Sequence, residues 1–252
     1  MKSWRNRHHV TARKRTGRDR MPLSFVDLIW PRRCAVCDEP LTGDAVGACP
    51  TCAAALPLVT GPRCFTCGCP VHGTERLSCG PCQKHPHDYD RGRAVFIYNR
   101  QIRKALVRFK YGGRMEYAGY FAAWMASRLP RPNILPDLLV PVPGHPNRAL
   151  HYGYNQSLLL ADALSRQINV PVADLLLRRR SSLPQKTLNR VQRMRNMENA
   201  FSIRPVDLNG AYVLLVDDIY TTGSTVDVCA KQLKSCGAHL VDFMTVAIGI
   251  DD

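Results

Sequence analysis

The sequence lacks any apolar run long enough to span a membrane, and it lacks a recognisable secretory signal. The apolar stretch Leu23–Trp30 contains Asp27 and no small-residue cleavage site follows it, so we interpret it as a short amphipathic helix that docks on the protein. Acidic residues are also scarce, since 20 Asp and Glu stand against 35 Lys and Arg, for a net charge of +15. This balance suits anionic ligands such as phosphates or nucleic acid, although an ordinary basic surface has the same composition.

Part of the positive charge is concentrated at the N-terminus. Residues 1–20 hold eight Lys or Arg and one acid, Asp19, and they show no apolar periodicity. This pattern predicts a disordered basic tail, which we assign to residues 1–22, and Met21 is a second candidate start. Hydrophobic residues make up 45% of the whole chain, which predicts an ordinary folded core for the remainder.

Eleven cysteines are the most unusual feature of what is present. Eight of them form four C-x2-C pairs, and these are Cys34, Cys37, Cys49, Cys52, Cys64, Cys67, Cys79 and Cys82. Eleven residues separate the two pairs of each half, and the whole unit recurs with a period of 30, which indicates a tandem duplication. In a chain without a secretory signal, such pairs are typical of metal sites in the reducing cytoplasm.

Cysteine quartets of this spacing fit tetrahedral zinc, and a closed all-cysteine site predicts a structural role. The simplest assignment is one zinc for each repeat, so residues 23–85 are predicted to form a double zinc-ribbon module. An interleaved pairing of the cysteines, disulfides and an iron–sulfur cluster are alternatives. We expect the remaining cysteines to be small apolar residues, and these are Cys69, Cys229 and Cys236. We expect the nearby histidines to be solvated loop residues, and these are His72, His85 and His87.

From about residue 93 onward, apolar strand-like segments alternate with amphipathic helix-like segments, which predicts a parallel α/β sheet over residues 93–252. The predicted strands are 93–98, 137–142, 172–177, 211–216 and 240–248. The predicted helices are 101–111, 115–129, 155–168 and 224–236. The polar stretch 83–92 marks the domain boundary, and the basic stretch 178–199 is predicted to be a long mobile loop.

The segment VLLVDDIYTTGST, residues 213–225, carries the strongest functional signal. An apolar strand runs into two adjacent acids, Asp217 and Asp218, whose carboxylates suit ribose hydroxyls and a hard cation such as Mg²⁺. The loop that follows opens a helix, and its hydroxyls and backbone N–H groups can hold a phosphate dianion. We call it the phosphate loop, and its members are Thr221, Thr222, Gly223, Ser224 and Thr225. An ordinary helix cap requires one such residue, whereas this loop has a string of them.

This segment resembles the phosphoribosyl pyrophosphate loop of type I phosphoribosyltransferases. Together with the preceding C-x2-C pairs, it makes the chain similar to the ComF/GntX family of competence-associated proteins over residues 23–250. Further motifs that carry the similarity are Lys110-Tyr111-Gly112, Val140-Pro-Val-Pro143, Gly153-Tyr-Asn155-Gln156, Pro184-Gln185, Arg193-Met-Arg-Asn196 and Ala200-Phe201. The resemblance implies a type I phosphoribosyltransferase-like parallel sheet with helices on both faces, which binds phosphoribosyl pyrophosphate and Mg²⁺.

The resemblance also implies roles for individual residues. Asp217 and Asp218 would hold the ribose hydroxyls, and the phosphate loop would hold the 5′-phosphate. The turn at 142–147 would contact pyrophosphate, and the basic loop would close over the ligand. Further candidates for catalysis or substrate binding are Arg193, Arg190, Gln185, Lys110, Pro143, Asn155 and Gln156. Where the family usually has Arg before the Gly-aromatic-Asn-Gln motif, this chain has Tyr152, so Arg148 or His151 would have to replace it.

Three functions are compatible with these motifs. The first is a cytoplasmic phosphoribosyltransferase that joins ribose phosphate to a nitrogen nucleophile, in DNA uptake or in nucleotide metabolism. The second is a non-catalytic adaptor that binds single-stranded DNA or a competence helicase. The third is a sensor of phosphoribosyl pyrophosphate. No base-selecting motif is recognisable, so the sequence predicts the sugar-phosphate half of a site and leaves its acceptor undefined.

Overall fold

A computed structural model describes residues 31–42, 45–71, 78–144, 154–178 and 200–250. Its helices are α1 (Pro50–Ala54), α2 (Gly80–Lys84), α3 (Arg100–Tyr111), α4 (Tyr117–Ala126), α5 (Gln156–Ile168) and α6 (Ser224–Ser235). Its strands are β1 (Arg91–Ile97), β2 (Leu138–Pro141), β3 (Leu176–Arg178), β4 (Phe201–Ile203), β5 (Tyr212–Tyr220) and β6 (Leu240–Ile248).

Within these ranges, four strands form a parallel sheet in the order β1-β6-β5-β2. Strand β5 lies in the centre and is longer than the sequence predicts. It continues through Asp217 and Asp218, because its pairing with β6 extends as far as Tyr220 opposite Ile248. The prediction that the strand ends at residue 216 is therefore wrong, and the two aspartates lie on the strand itself.

Helices cover both faces of the sheet, as predicted. Alternate residues of a strand point to opposite faces. Val213 and Leu215 of β5 belong to a core shared with α6, whereas Leu214 and Val216 belong to a core shared with α3, α4 and α5. All four side chains are fully buried, which contributes about 1.5–3 kcal/mol for each side chain.

Capping residues set the helix ends near the sheet. The side chain of Asn155 accepts a hydrogen bond from the N–H of Ser157 at 3.1 Å, so α5 begins where the sequence predicts. Helix α6 begins after Gly223, whose φ of +80° is a left-handed conformation that favours glycine. The same helix ends before Gly237, at φ +92°.

The predicted strand at 172–177 differs from the structure. Only Val172 reaches the main sheet, through an isolated bridge to Leu139, because the chain then turns away from β2. The segment that follows forms β3, which pairs antiparallel with β4 outside the main sheet. The predicted loop 178–199 lies outside the described residues from 179 onward, as does the predicted helix at 23–30.

The duplication in the sequence has a structural counterpart. Each repeat contains an antiparallel bridge, Arg33 to Pro40 and Arg63 to Pro70, 30 residues apart. Each then ends in a one-turn helix, α1 or α2, which the sequence did not predict.

The two repeats pack on different parts of the α/β domain. Arg108 of α3 donates a hydrogen bond to the carbonyl of Val36 in the first repeat, at 2.9 Å. The second repeat and the segment before it lie along β1, the edge strand of the sheet. The N–H of Gly92 donates to the carbonyl of Thr66 at 2.6 Å, and the N–H of Ile97 donates to the carbonyl of Pro57 at 2.7 Å. In the part of the chain that the structure describes, no helix has the length and apolarity that crossing a bilayer requires.

Candidate functional site

The candidate site lies at the carboxyl end of β5, where parallel α/β sheets commonly bind ligands. The phosphate loop forms a depression there, which is lined by Asp217, Ile219, Tyr220, Thr221, Thr222, Gly223, Ser224, Thr225 and Val226. The side chains of Thr221, Thr222 and Ser224 are exposed to solvent, so their hydroxyls are accessible to a ligand. The structure therefore brings the predicted aspartate and the predicted phosphate loop into one concave surface.

Asp217 is held by two hydrogen bonds. One carboxylate oxygen accepts from the hydroxyl of Ser157 at 2.8 Å and from the N–H of Asp218 at 2.8 Å. Burial and the neighbouring carboxylate of Asp218 raise the pKa of Asp217 to about 7, against the lowering effect of these hydrogen bonds and of Lys110. Ser157 was not among the predicted site residues, although its position directly after the Asn155-Gln156 motif was a usable signal.

Asp218 forms an ion pair with Lys110. The ammonium nitrogen lies 2.5 Å from a carboxylate oxygen, and the two side chains are 15% and 14% exposed. Lys110 is in the last turn of α3, and its carbonyl accepts a hydrogen bond from the side chain of Gln156 at 3.1 Å. Among the described residues, the two carboxylates are thus accompanied by the ammonium group of Lys110.

The conformation of the phosphate loop depends on Gly223. Besides its positive φ, a Cβ atom at this position would lie 2.6 Å from the hydroxyl oxygen of Tyr220, which is too close. The hydroxyl oxygens of Thr222 and Ser224 are 3.1 Å apart. The loop therefore presents hydroxyls and the first amides of α6 in a compact arrangement, which suits an anion.

Three other predicted residues support the site from within the protein. The amide nitrogen of Asn155 donates to the carbonyl of Val142 at 3.3 Å, and Gln156 holds Lys110 as described, so both side chains act on the backbone of the site. Pro143 is buried two residues after β2. The remaining candidates, Arg193, Arg190, Gln185, Arg148, His151 and Tyr152, lie outside the described residues.

A buried aromatic group lies beneath the phosphate loop. The hydroxyls of Tyr89 and Tyr220 are 2.8 Å apart, and the ring of Tyr220 stacks on Phe243 with centroids 4.7 Å apart. Burial raises the pKa of both tyrosines, so they are neutral at physiological pH. Sequence reasoning missed this group because its members are 131 residues apart and follow no local pattern.

The predicted metal ligands form two clusters of sulfur atoms. In each cluster the sulfurs lie within 4.8 Å of one another, and the members are Cys34, Cys37, Cys49 and Cys52 in the first, and Cys64, Cys67, Cys69 and Cys79 in the second. The first set is the predicted quartet. Burial raises the pKa of the Cys34 thiol, but hydrogen bonds from backbone N–H groups lower it by a larger amount. The net result is a pKa of about 7, below the ordinary value of 9.0, which favours the thiolate that binds zinc.

The second cluster differs from its predicted quartet. Cys69, expected to be a small apolar residue, lies in the cluster, because the turn at Gly68 directs it back toward Cys64. Cys82 is not among the four sulfurs that lie within 4.8 Å of one another, and its sulfur lies 3.4 Å from the Nε2 atom of His87. His87 was expected to be solvated, yet its side chain is only 8% exposed.

Comparisons with known proteins agree with this two-part organisation. A double zinc ribbon domain family matches residues 25–83, and a phosphoribosyl transferase domain family matches residues 155–251. The DNA utilization protein YhgH of Salmonella typhi is 33% identical over 224 residues, which cover 85% of this chain and 96% of that protein. The competence protein ComFC of Bacillus subtilis is 29% identical, with 81% and 89% covered. Competence protein F of Haemophilus influenzae is 29% identical, with 74% and 84% covered.

Proposed function

Since the chain belongs to the ComF/GntX family and combines a structural double zinc ribbon with a phosphoribosyltransferase domain, we propose that it binds phosphoribosyl pyrophosphate with Mg²⁺ and transfers the phosphoribosyl group. The observation that carries this proposal is the juxtaposition at the end of β5. There the acid pair Asp217–Asp218 stands directly before the hydroxyl-rich loop that opens α6.

Different residues of the site suit the 5′-phosphate and the ribose of this ligand. The phosphate loop would hold the 5′-phosphate through hydroxyls and the amides at the start of α6. Asp217 and Asp218 would accept hydrogen bonds from the ribose hydroxyls. Lys110 forms an ion pair with Asp218, and Ser157 orients Asp217 through a hydrogen bond.

The acid pair also fits Mg²⁺. Repulsion between the two carboxylates contributes to the raised pKa of Asp217, and the described residues place a single ammonium group against them. Asp217 and Asp218 are therefore the residues that would hold the ion, since Mg²⁺ prefers carboxylate oxygens. When bound, the ion supplies neutralisation of the charge on pyrophosphate as it leaves.

The transfer itself would break the bond between C1 of the ribose and an oxygen of pyrophosphate, and form a bond between C1 and a nitrogen nucleophile. Positive charge develops on the ribose ring in the transition state, and nearby carboxylates stabilise it. We include in this proposal the division of the chain into 1–22, 23–85 and 93–252. We also place the protein in the cytoplasm, where cysteine ligands remain reduced.

Calorimetric titration with phosphoribosyl pyrophosphate and Mg²⁺ tests the binding step. We expect the Asp217→Asn/Asp218→Asn variant to lose binding and to stay folded. The matched control is Asp174→Asn, an exposed acid outside the site, which should bind as the wild type does. Unchanged affinity in the double variant would rule the site out. A pyrophosphate-release screen with candidate bases and single-stranded DNA then separates an enzyme from a sensor.

A second function, binding of single-stranded DNA, is favoured by one surface. We call it the arginine surface, and it consists of Arg63, Phe65, Arg91, Arg93, Trp124 and Arg128. The guanidinium of Arg91 lies 4.0 Å from the ring centre of Phe65, and that of Arg128 lies 4.7 Å from Trp124. Phe65 is 53% exposed.

The charges of this surface repel one another. Burial and then the charges of Arg63 and Arg91 lower the pKa of Arg93, and burial and then Arg63 lower the pKa of Arg128. In the described ranges, none of the four arginines forms an ion pair with an acid. Guanidinium groups beside aromatic rings suit the phosphates and bases of a single strand.

Fluorescence anisotropy with a labelled single-stranded oligonucleotide tests this second function. The Arg63→Ala/Arg91→Ala variant should bind more weakly, while Arg103→Ala, an exposed arginine of α3, should bind as the wild type does. Affinity should fall steeply with salt concentration. A flat salt response, or equal affinity in both variants, would contradict DNA binding at the arginine surface.

A further inference from the structure

His87 connects Cys82, the fifth cysteine of the second repeat, to helix α6. Its Nε2 atom lies 3.4 Å from the sulfur of Cys82, and its Nδ1 atom lies 2.8 Å from a carboxylate oxygen of Asp227. The other carboxylate oxygen of Asp227 accepts from the N–H of Asp88 at 3.0 Å. Asp227 is in the first turn of α6, directly after the phosphate loop.

The same imidazole is connected to the other end of the phosphate loop through Tyr89 and Tyr220. Its ring stacks on Tyr89, with centroids 4.6 Å apart, and the hydroxyl of Tyr89 lies 2.8 Å from that of Tyr220. Tyr220 immediately precedes the loop, and its hydroxyl lies against Gly223. One buried side chain therefore contacts the supports of both ends of the phosphate loop.

The ring has little freedom to move independently of its neighbours. It is 8% exposed, both nitrogens are engaged, and one face is covered by Tyr89. When Cys82 and its neighbours enclose a metal ion, the sulfur of Cys82 is fixed in position, and the ring is fixed with it. Residues that form hydrogen bonds with metal ligands orient those ligands and commonly affect the affinity for the metal.

We propose that His87 is a positioning residue that couples metal binding at the second cluster to ligand binding at the phosphate loop. Metal binding orders His87, which holds Asp227 directly and Tyr220 through Tyr89 in the arrangement that binds phosphate. This inference rests on the proposed function. Because coupling between two binding sites is reciprocal, phosphoribosyl pyrophosphate must also strengthen zinc binding by the same factor.

The test uses the zinc-loaded full chain. Calorimetry first measures binding of phosphoribosyl pyrophosphate with Mg²⁺, and a colorimetric chelator then measures zinc release with and without that ligand. In the wild type we expect the ligand to slow release of one zinc equivalent about tenfold, within the usual range of such couplings. Release of the ion in the first cluster should be unchanged, which controls for chelation of zinc by the ligand itself.

Two variants isolate the histidine. His87→Ala should release its second zinc at a rate that the ligand does not change, and its affinity for the ligand should fall about tenfold. His85→Ala is the matched control, because His85 is an exposed histidine two residues away and should behave as the wild type does. Asp227→Asn keeps the shape of the side chain and should reduce the coupling without unfolding the helix.

The outcomes separate the two proposals. A wild type that does not bind phosphoribosyl pyrophosphate overturns the proposed function and the coupling together. A wild type that binds it, yet releases both zinc ions at unchanged rates, overturns the coupling alone. Equal coupling in His87→Ala and His85→Ala would show that the connection does not run through His87.

Discussion

The ammonium group of Lys110 lies 2.5 Å from the carboxylate of Asp218, at the point where helix α3 meets the carboxyl end of strand β5. Asp217 adjoins this pair, and the positive charge of Lys110 lowers its pKa, which burial and Asp218 have raised to about 7. The ionisation of Asp217 therefore depends on a residue more than 100 positions earlier in the chain.

Replacement of this lysine should change the titration of its neighbour. In Lys110→Met the pKa of Asp217 should rise above about 7, because a favourable charge is removed while the carboxylate of Asp218 remains. Carboxyl-detected NMR titration measures this directly. Lys104→Met is the control, since Lys104 is exposed on the same helix, and an equal pKa in both variants would refute the role of Lys110.

Stability should depend on pH through Asp217. Its folded pKa of about 7 lies above the ordinary value of 3.8, so the folded protein binds this proton more tightly than the unfolded chain. The corresponding stabilisation is fully present below about pH 4 and is lost as pH rises through 7. Asp217→Asn should remove this loss and raise the free energy of unfolding at pH 8 by about 4 kcal/mol, since one pKa unit corresponds to about 1.4 kcal/mol.

Urea unfolding at pH 5 and pH 8, without Mg²⁺, measures this effect. Asp174→Asn, which removes an exposed carboxylate outside the site, is the control variant. If Asp217→Asn instead destabilises the protein at pH 8, the ionised carboxylate of Asp217 is favourable in the folded protein, and the prediction is wrong. The same substitution should weaken ligand binding, so stability and binding are expected to change in opposite directions.

A methyl group at Gly223 should damage the phosphate loop. Gly223→Ala places a Cβ atom 2.6 Å from the hydroxyl of Tyr220 at a φ of +80°, and we expect a loss of about 1–2 kcal/mol in stability. Affinity for phosphoribosyl pyrophosphate should fall more than tenfold, because Tyr220 must move. Gly119→Ala in α4 meets open space and should be neutral or stabilising by about 1 kcal/mol. Calorimetry and thermal unfolding of both variants decide the matter.

The second metal site offers five thiols to an ion that takes four. The duplication makes Cys82 the counterpart of Cys52, a member of the first cluster, whereas the counterpart of Cys69 is Glu39. We therefore predict that Cys82→Ser lowers the zinc content from two ions to one and that Cys69→Ser leaves it at two. Elemental analysis of the purified variants measures this, and the opposite result would assign Cys69 as the ligand.

Local sequence patterns were sufficient to predict many helices and strands of this molecule. The β6 limits, the start of α5 after Asn155 and the start of α6 at Ser224 follow from apolar periodicity, a capping side chain and a change from strand-like to helix-like pattern. The parallel sheet follows from the alternation of strands and helices, whereas the placement of helices on both faces was implied by the family resemblance. The features predicted from local patterns depend on residues close together in the sequence, which is why the sequence predicts them.

Other features depend on contacts between distant residues. The length of β5 is set by its pairing with β6, and the bond between Ser157 and Asp217 spans 60 positions. The burial of His87 comes from packing against α6, whose Asp227 is 140 residues away. The sequence around a loop histidine with polar neighbours does not indicate such a distant partner, so the prediction that His87 is solvated was wrong.

The cover that the zinc ribbons form over β1 has a consequence for the solubility of the protein. An edge strand exposes unpaired backbone groups that can pair with strands of other molecules. Here the carbonyls of Thr66 and Pro57 accept hydrogen bonds from two N–H groups of β1. Thiol oxidation that releases the metal would uncover this edge. Oxidised protein should therefore self-associate through intermolecular sheet pairing, which makes the redox state of the ribbons a determinant of aggregation.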